Sequence, residues 1–414
     1  MTLVGVLAFV VALLVSVMLH EAGHFLTARH YGMKATQFFV GFGPTLFSRR
    51  RGETEYGVKA IPAGGFVKIV GMTPLETVEP GDEARAFFRQ RPGPRTVVLA
   101  AGSTVHFVIA VVLVLVTVVG LGVPDGKAAV LLKPQDCLVL SITSTSTALL
   151  SGRRDAAGAC PAGTVPGVAA AAGLLAGDRV VEVAGRPVGD YVAFTKAVRA
   201  SAGRPLALVV RRHGRRLPIT LTPLATTRPD LTDPARTVTV GAIGVGADSS
   251  VLRHVGPVAA IGETGSQLGA IVTGTYDTLT HKLGTITHVY GKDRDPSGFV
   301  GVVGVSRVSG EVFNAPIPLA TKLAGFLMLM AGLNLFVGLF NLLPLLPLDG
   351  GHIAVLLFET ARDKIRRLRG YTGELTHVDL NKLMPLTLTV VALFVGFTVW
   401  LLGADIVNPI RLNQ

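Results

Sequence analysis

Residues 20–24 read His20-Glu21-Ala22-Gly23-His24. On a helix, positions i and i+4 share one face, so both imidazoles can reach a single zinc ion. Glu21 lies beside them and can take a proton from water that the metal has acidified. The chemistry this spacing points to is hydrolysis. The setting is unusual, because residues 1–19 contain no Asp, Glu, Lys or Arg. Ionisable groups at the end of such a run are costly in hydrocarbon and usually mark function.

Two ligands do not complete a catalytic zinc site, which takes three protein ligands and keeps one open position. His30 lies six residues beyond His24, but that spacing needs a glycine turn at position 27, which is Thr27. On a continuing helix, six residues advance about 600°, which turns His30 away from the pair. Asp349 is the better third ligand. It is the first charge after the apolar run 323–348, and Pro344 and Pro347 break the helix ahead of it. The backbone groups so freed must line a protected cavity. His20 and His24 come late in the first apolar run and Asp349 follows the third, so the three can meet at one depth. Asn341 is placed to hold the substrate backbone or the scissile carbonyl through its amide, with an interhelical hydrogen bond as the alternative. Asn334 is the weaker candidate for that contact, and His352 reads as solvated.

The elements that must position these residues are membrane helices. The chain has 414 residues, 49% of them hydrophobic, and a mean hydropathy of +0.53. Four charge-free runs, 1–19, 97–123, 323–348 and 383–404, are each long enough to cross a bilayer as a helix. The first lacks a basic leader and a clear cleavage site, so it is expected to be retained. Arg29, Lys34, Arg49, Arg50, Arg51 and other cations fill the segment between the first two runs. Arg362, Lys364, Arg366, Arg367, Arg369 and Lys382 fill the one between the last two. The positive-inside rule places both in the cytoplasm. Both termini and the long middle region then lie outside a bacterial cell membrane crossed several times. Membrane orientation accounts for the net charge of +12, and no nucleic-acid signature accompanies it. The two cysteines, Cys137 and Cys160, fall in the outer region, where a disulfide is permitted.

Between the runs the chain reads as follows. Residues 33–70 are short β-type stretches punctuated by "GFGP" and "IPAGG", a membrane-associated β-hairpin set. "GLLAGDRVVEVAGRPV" (173–188), a helical "YVAFTKAVRA", and two strands about Gly214 resemble a permuted bacterial PDZ domain. Residues 255–316 suit an amphipathic helix at the outer membrane surface, and His254, His281 and His288 there lack metal spacing. The fold class is thus a polytopic α-helical membrane protein with four transmembrane helices, a membrane-associated β-hairpin and an extracytoplasmic mixed α/β PDZ-like domain. The expected division is helix 1 with its motif at 1–30, the β-loop region at 31–95 and helix 2 at 96–123. The PDZ-like domain follows at 124–228, then a linker with an interfacial helix at 229–320. Helix 3 occupies 321–352, a cytoplasmic loop 353–382, helix 4 383–405 and an outer tail 406–414.

Taken together, the His20-Glu21-x-x-His24 motif, Asn341-x-x-Pro344-x-x-Pro347-x-Asp349-Gly350 and a PDZ-like insert resemble the site-2 protease family of intramembrane zinc metalloproteases. The similarity is strongest to the bacterial branch that cleaves anti-sigma factors, especially its actinobacterial single-PDZ members. "GFGP" and "GGFVK" resemble that family's membrane β-loop and substrate-pairing strand, which implies substrate contact at Gly65, Phe66 and Val67. "SGFVGVVGVSR" resembles its Gly-Pro-x-Gly-Ile segment, with Phe299 where proline is usual. "AAGSTVHF" stands where the family commonly has Ala-Gly-Pro-x-x-Asn-Phe, so His106 replaces an asparagine. The resemblance implies one catalytic zinc ion and hydrolysis of a peptide bond inside another protein's transmembrane helix, such as an anti-sigma factor. It also implies a site-1-type protease that first trims the substrate's outer domain. The PDZ-like domain would filter substrates by size or read a newly cut carboxyl terminus, with Gly163, Thr164, Val165, Pro166 and Gly167 as its expected binding loop.

Two other classes were weighed. A non-catalytic PDZ-containing scaffold has no need of Glu21. A metal-ion transporter would need charges along its spans, and these spans lack them.

Overall fold

The computed structural model describes residues 2–72, 78–124, 129–140, 159–160, 163–229, 237–246, 248, 252–281, 283–291, 294, 298–315, 317–371, 378 and 380–410. In chain order, α1 spans Thr2–His30, β1 Ala35–Arg51, β2 Thr54–Ile69 and α2 Pro92–Val116, the last running into a π-turn at Thr117–Leu121. Then come β3 (Val123–Pro124), β4 (Cys137–Val139), β5 (Thr164–Pro166), α3 (Val168–Ala171), β6 (Arg179–Val183) and β7 (Arg186–Pro187). Helix α4 (Tyr191–Ala200) precedes β8 (Leu206–Arg212), β9 (Arg215–Leu221), β10 (Leu224–Pro229), β11 (Thr237–Ala242) and β12 (Leu252–Arg253). The chain finishes with α5 (Pro257–His281), α6 (Val302–Asn314), α7 (Leu319–Asn341), α8 (Asp349–Leu368) and α9 (Met384–Val407).

The four charge-free runs fall largely in α1, α2, α7 and α9, which are long and apolar enough to cross a membrane. The helix expected over 321–352 is broken, because α7 ends at Asn341 and α8 starts at Asp349, with Pro344 and Pro347 between them. Two compact units divide the chain. The first comprises 1–120, 256–316 and 322–412, and the second comprises 121–255 with 317–321 and 413–414.

In the first unit, α1 and α2 pack closely because Gly23 faces the Ala101 carbonyl, where a Cβ would come within 2.9 Å. Below the histidine motif, Phe25, Ala28, Met33, Ala35, Ile69, Val98, Leu99 and Leu356 form one buried cluster. It joins α1, both strands, α2 and α8. The strand pairing is more complex than a hairpin. Phe38, Phe39 and Val40 pair with Val67, Phe66 and Gly65, and again with Tyr56, Gly57 and Val58. Residues 37–40 are therefore internal, and 65–69 form an edge. At the far end Phe42, Leu46, Phe47 and Ile61 are exposed, an apolar tip suited to lipid. The C-terminal end of α9 is tied down by Arg294, which pairs with Asp405 at 2.8 Å and also donates to the Ala404, Asn408 and Phe299 carbonyls.

In the second unit, a four-stranded sheet of order β7-β6-β8-β9 packs with α4 over a core that includes Phe194, Leu208 and Val210. The Gly-Leu-x-x-Gly-Asp element has a clear physical role. The Asp178 carboxylate accepts the Leu175 N–H at 2.9 Å and two bonds from Arg212 at 2.7 Å. Arg212 also donates to the Gly173 carbonyl, which closes the turn onto β8. Cys137 and Cys160 are joined by a disulfide, and no other cysteine exists in the chain. No thiol should therefore titrate in the denatured, unreduced protein, and two should titrate after reduction. Reduction should also destabilise the unit by about 2–4 kcal/mol, read by chemical denaturation.

Burial alone would raise the Asp178 carboxyl, but the Arg212 and Leu175 hydrogen bonds bring it net below the usual carboxylate range. A depressed carboxyl contributes stability above its unfolded pKa of about 3.9 and loses it as pH falls through the lower folded value. Thermal unfolding followed between pH 7 and 2 should show this acid loss, and Asp178→Asn should lower the midpoint at pH 7 and flatten the profile below pH 4.

Candidate metal centre

His20 and His24 stand one turn apart on α1, and Asp349 opens α8. The chain reaches Asp349 through a tight reversal. Helix α7 ends at Asn341, ahead of Pro344 and Pro347, and successive turns follow from Leu342 to Leu348. Gly350 and Gly351 let this loop fold back onto the first turn of α8. A Cβ on Gly350 would strike the Leu342 carbonyl, and one on Gly351 would lie 2.6–2.7 Å from the Leu345 carbonyl group.

Three donor atoms converge there. His24 Nε2 lies 3.2 Å from His20 Nε2, and Asp349 Oδ2 lies 3.5 Å from the first and 3.7 Å from the second. A zinc ion with bonds of roughly 2.0–2.1 Å holds tetrahedral ligand atoms about 3.3–3.4 Å apart, so the triangle fits the metal. His24 Nδ1 donates to the Val98 carbonyl at 2.7 Å, which leaves Nε2 as the free lone pair a metal needs. Asp349 Oδ2 is buried without a hydrogen-bond donor. An orphaned carboxylate oxygen is expensive unless a cation occupies the site. Both histidines are buried, as is the Gly102 backbone beside them, where a Cβ would fall on His20 Cε1 and His24 Nε2. Among the described residues this is the one cluster of three potential ligands.

Glu21 turns toward the edge strand, where its Oε2 accepts the Val67 N–H at 3.1 Å. Gly65 and Phe66 lie on the same strand, and a Cβ on Gly65 would meet the Met18 sulfur of α1. His30 ends α1, exposed and packed edge-on against Tyr31 at 5.1 Å between ring centroids. Asn341 is half-buried at the last residue of α7. In the second unit Gly163 has a positive φ of 82°, and Thr164–Pro166 form β5 against β4. A separate cavity of about 280 Å³ in that unit is lined by other residues, among them Tyr191, Val198, Arg228 and Ile243.

One residue that motif reading did not connect with the site, His106, stands beside it, and its partner is Asn334, which the sequence offered only as a weak candidate for substrate contact. His106 on α2 bonds Asn334 on α7 at 2.8 Å, and its ring centroid is 4.9 Å from that of His20. The available signal was a histidine and an asparagine inside apolar runs, where polar groups need partners.

Comparison with known proteins agrees with this geometry. The profile of peptidase family M50 matches residues 8–375. The chain belongs to that family, the site-2 proteases, and is a zinc metalloendopeptidase acting in the membrane. It is 39% identical over 431 residues to zinc metalloprotease Rip1 of Mycobacterium tuberculosis H37Rv, with 100% of both chains covered. Rip1 of Mycolicibacterium smegmatis is 37% identical, covering 99% of each chain. Regulator of sigma-E protease RseP of Salmonella typhimurium is 29% identical, covering 92% of this chain and 96% of that one.

Gly102→Val should displace both imidazoles. Its zinc affinity, measured by chelator competition, should fall at least about tenfold, the order seen when a ligand's support is removed.

Proposed function

We propose that His20, His24 and Asp349 hold the catalytic zinc ion and that Glu21 is the general base for cleavage of a transmembrane segment. The observation that carries this reading is the convergence of three donor atoms, from elements over 300 residues apart in sequence, beside Glu21. When bound, zinc supplies a Lewis acid and a nucleophile at neutral pH. The chain's own residues do the rest. His24 is locked in its orientation by Val98. Glu21 takes the nucleophile's proton and delivers it to the departing amine. Asn341 holds the substrate backbone near the scissile carbonyl.

A helical substrate must unwind before its amide can be reached, because helical backbone groups are paired internally. The edge strand 65–69 supports a way to hold it unwound. Residues i and i+2 of a strand direct their N–H and C=O groups to the same side. The Val67 N–H faces Glu21, so Gly65 and Val67 present main-chain groups on that side. An extended substrate segment adds there by strand pairing, releasing Glu21 from Val67 as it binds.

The positive-inside charges support a multi-pass arrangement with both termini and the second unit outside the cell. The second unit acts there as a PDZ-like filter that admits substrates after a site-1-type protease has trimmed them, with Gly163–Gly167 as the binding loop. The name of the Salmonella relative, a regulator of sigma-E protease, supports anti-sigma factors as the substrate class.

Cleavage of a co-expressed membrane substrate tests this. Glu21→Gln should cut the rate by about 10²–10⁴-fold, the usual weight of a general base, and keep its zinc. Asp349→Ala should lose both zinc and cleavage. Undiminished cleavage by Glu21→Gln would refute the general-base assignment, whereas absence of cleavage and of zinc in the parental protein would leave the non-catalytic scaffold as the surviving reading.

A further inference from the structure

His106 has a buried environment that the metal ligands alone do not explain. It is 3% exposed, so its polar atoms must find partners. Its Nδ1 lies 2.8 Å from Asn334 Oδ1. The neighbours of Asn334 fix the direction of that bond. The Asn334 amide nitrogen donates to the Met330 carbonyl at 2.8 Å and to the Ser16 hydroxyl at 3.2 Å. Its oxygen therefore faces the histidine and must accept, so His106 carries its proton on Nδ1. The ring is held by α7, and through Ser16 by α1.

What it is held against is His20. The two rings lie 4.9 Å apart at 39° between planes. His24 stands edge-on to His20 at 4.8 Å, and the Gly102 backbone closes a further side. A metal-binding imidazole ordinarily donates its second ring N–H to a carboxylate or carbonyl, which sets the ring's rotation. His24 has the Val98 carbonyl for this. His20 has only a weaker counterpart, because its Nδ1 is buried beside the Gly102 backbone without a hydrogen bond of good geometry.

We propose that His106 is the positioning residue for His20. Its ring, braced by Asn334 and Ser16, supplies by packing the orientation that a hydrogen bond supplies to His24. The His106 ring is large enough to reach across from α2 and pack on the ligand's ring. This inference rests on the His/His/Asp reading of the site.

The test uses the full chain in detergent and measures zinc affinity by competition with a chromophoric chelator, alongside the melting midpoint of the metal-free protein. His106→Ala should weaken zinc binding about 10–100-fold, together with some fall in the metal-free midpoint from the opened cavity and the lost Asn334 partner. His106→Asn, which keeps a hydrogen-bond partner for Asn334 but lacks the ring, should show the affinity loss with a smaller change in midpoint. Asn334→Leu, which frees the ring, should reproduce part of that loss. Asn334→Asp, which keeps an acceptor for His106, should restore it. Parental affinity in His106→Ala would overturn the proposal, as would parental affinity in His106→Asn. His20→Ala separates the two readings. If it retains zinc, the ligand set itself falls. If it loses zinc while His106→Ala does not, only the positioning role falls.

Discussion

A carboxylate and two imidazoles meet in an apolar environment, and much of the first unit follows from that. Asp349 Oδ2 is buried without a hydrogen-bond donor among the described residues. Such a group persists only where a cation and a rigid surround compensate it. The rigid surround is visible in the glycines. Gly102 brings α2 against both histidines, Gly23 brings α1 against α2, and Gly350 and Gly351 fold the proline loop onto α8. At each of these positions a methyl group would meet backbone or an imidazole.

The same packing places a strand edge at the site. Residues 37–40 take partners on both sides, which leaves 65–69 outermost. Its Val67 N–H is satisfied by Glu21, so the carboxylate covers part of an edge that would otherwise be unpaired. In the proposed mechanism, an edge strand beside the candidate metal centre reconciles two requirements of cutting inside a membrane. The substrate's backbone must be freed from its helix, and the freed groups must be paired again at once.

The second unit is organised by a different device. A bidentate Asp178–Arg212 pair and a disulfide fix its turns, and a modest apolar core around Phe194 does the rest. A small unit with limited core benefits from such covalent and ionic ties. The first unit relies instead on close helix contacts and interhelical hydrogen bonds, as suits a setting where lipid offers no hydrophobic drive for helices to associate.

Much of the site was legible in the sequence because its signals are local or energetically conspicuous. The spacing of His20 and His24 is one helical turn, and Asp349 is a charge directly after 26 residues without one. Four spans follow from hydropathy alone, since a bilayer core demands about 20 apolar residues per helix. The tertiary structure decided what depends on distance across helices. It gave His106 and Asn334 to each other and laid His106 on His20, which no spacing could indicate because the two partners are 228 residues apart. It also made 65–69 the edge by pairing 37–40 twice, a choice of register that alternation of side chains does not encode. Periodicity and charge are properties of the chain, whereas the closeness of two buried polar groups is a property of how helices pack.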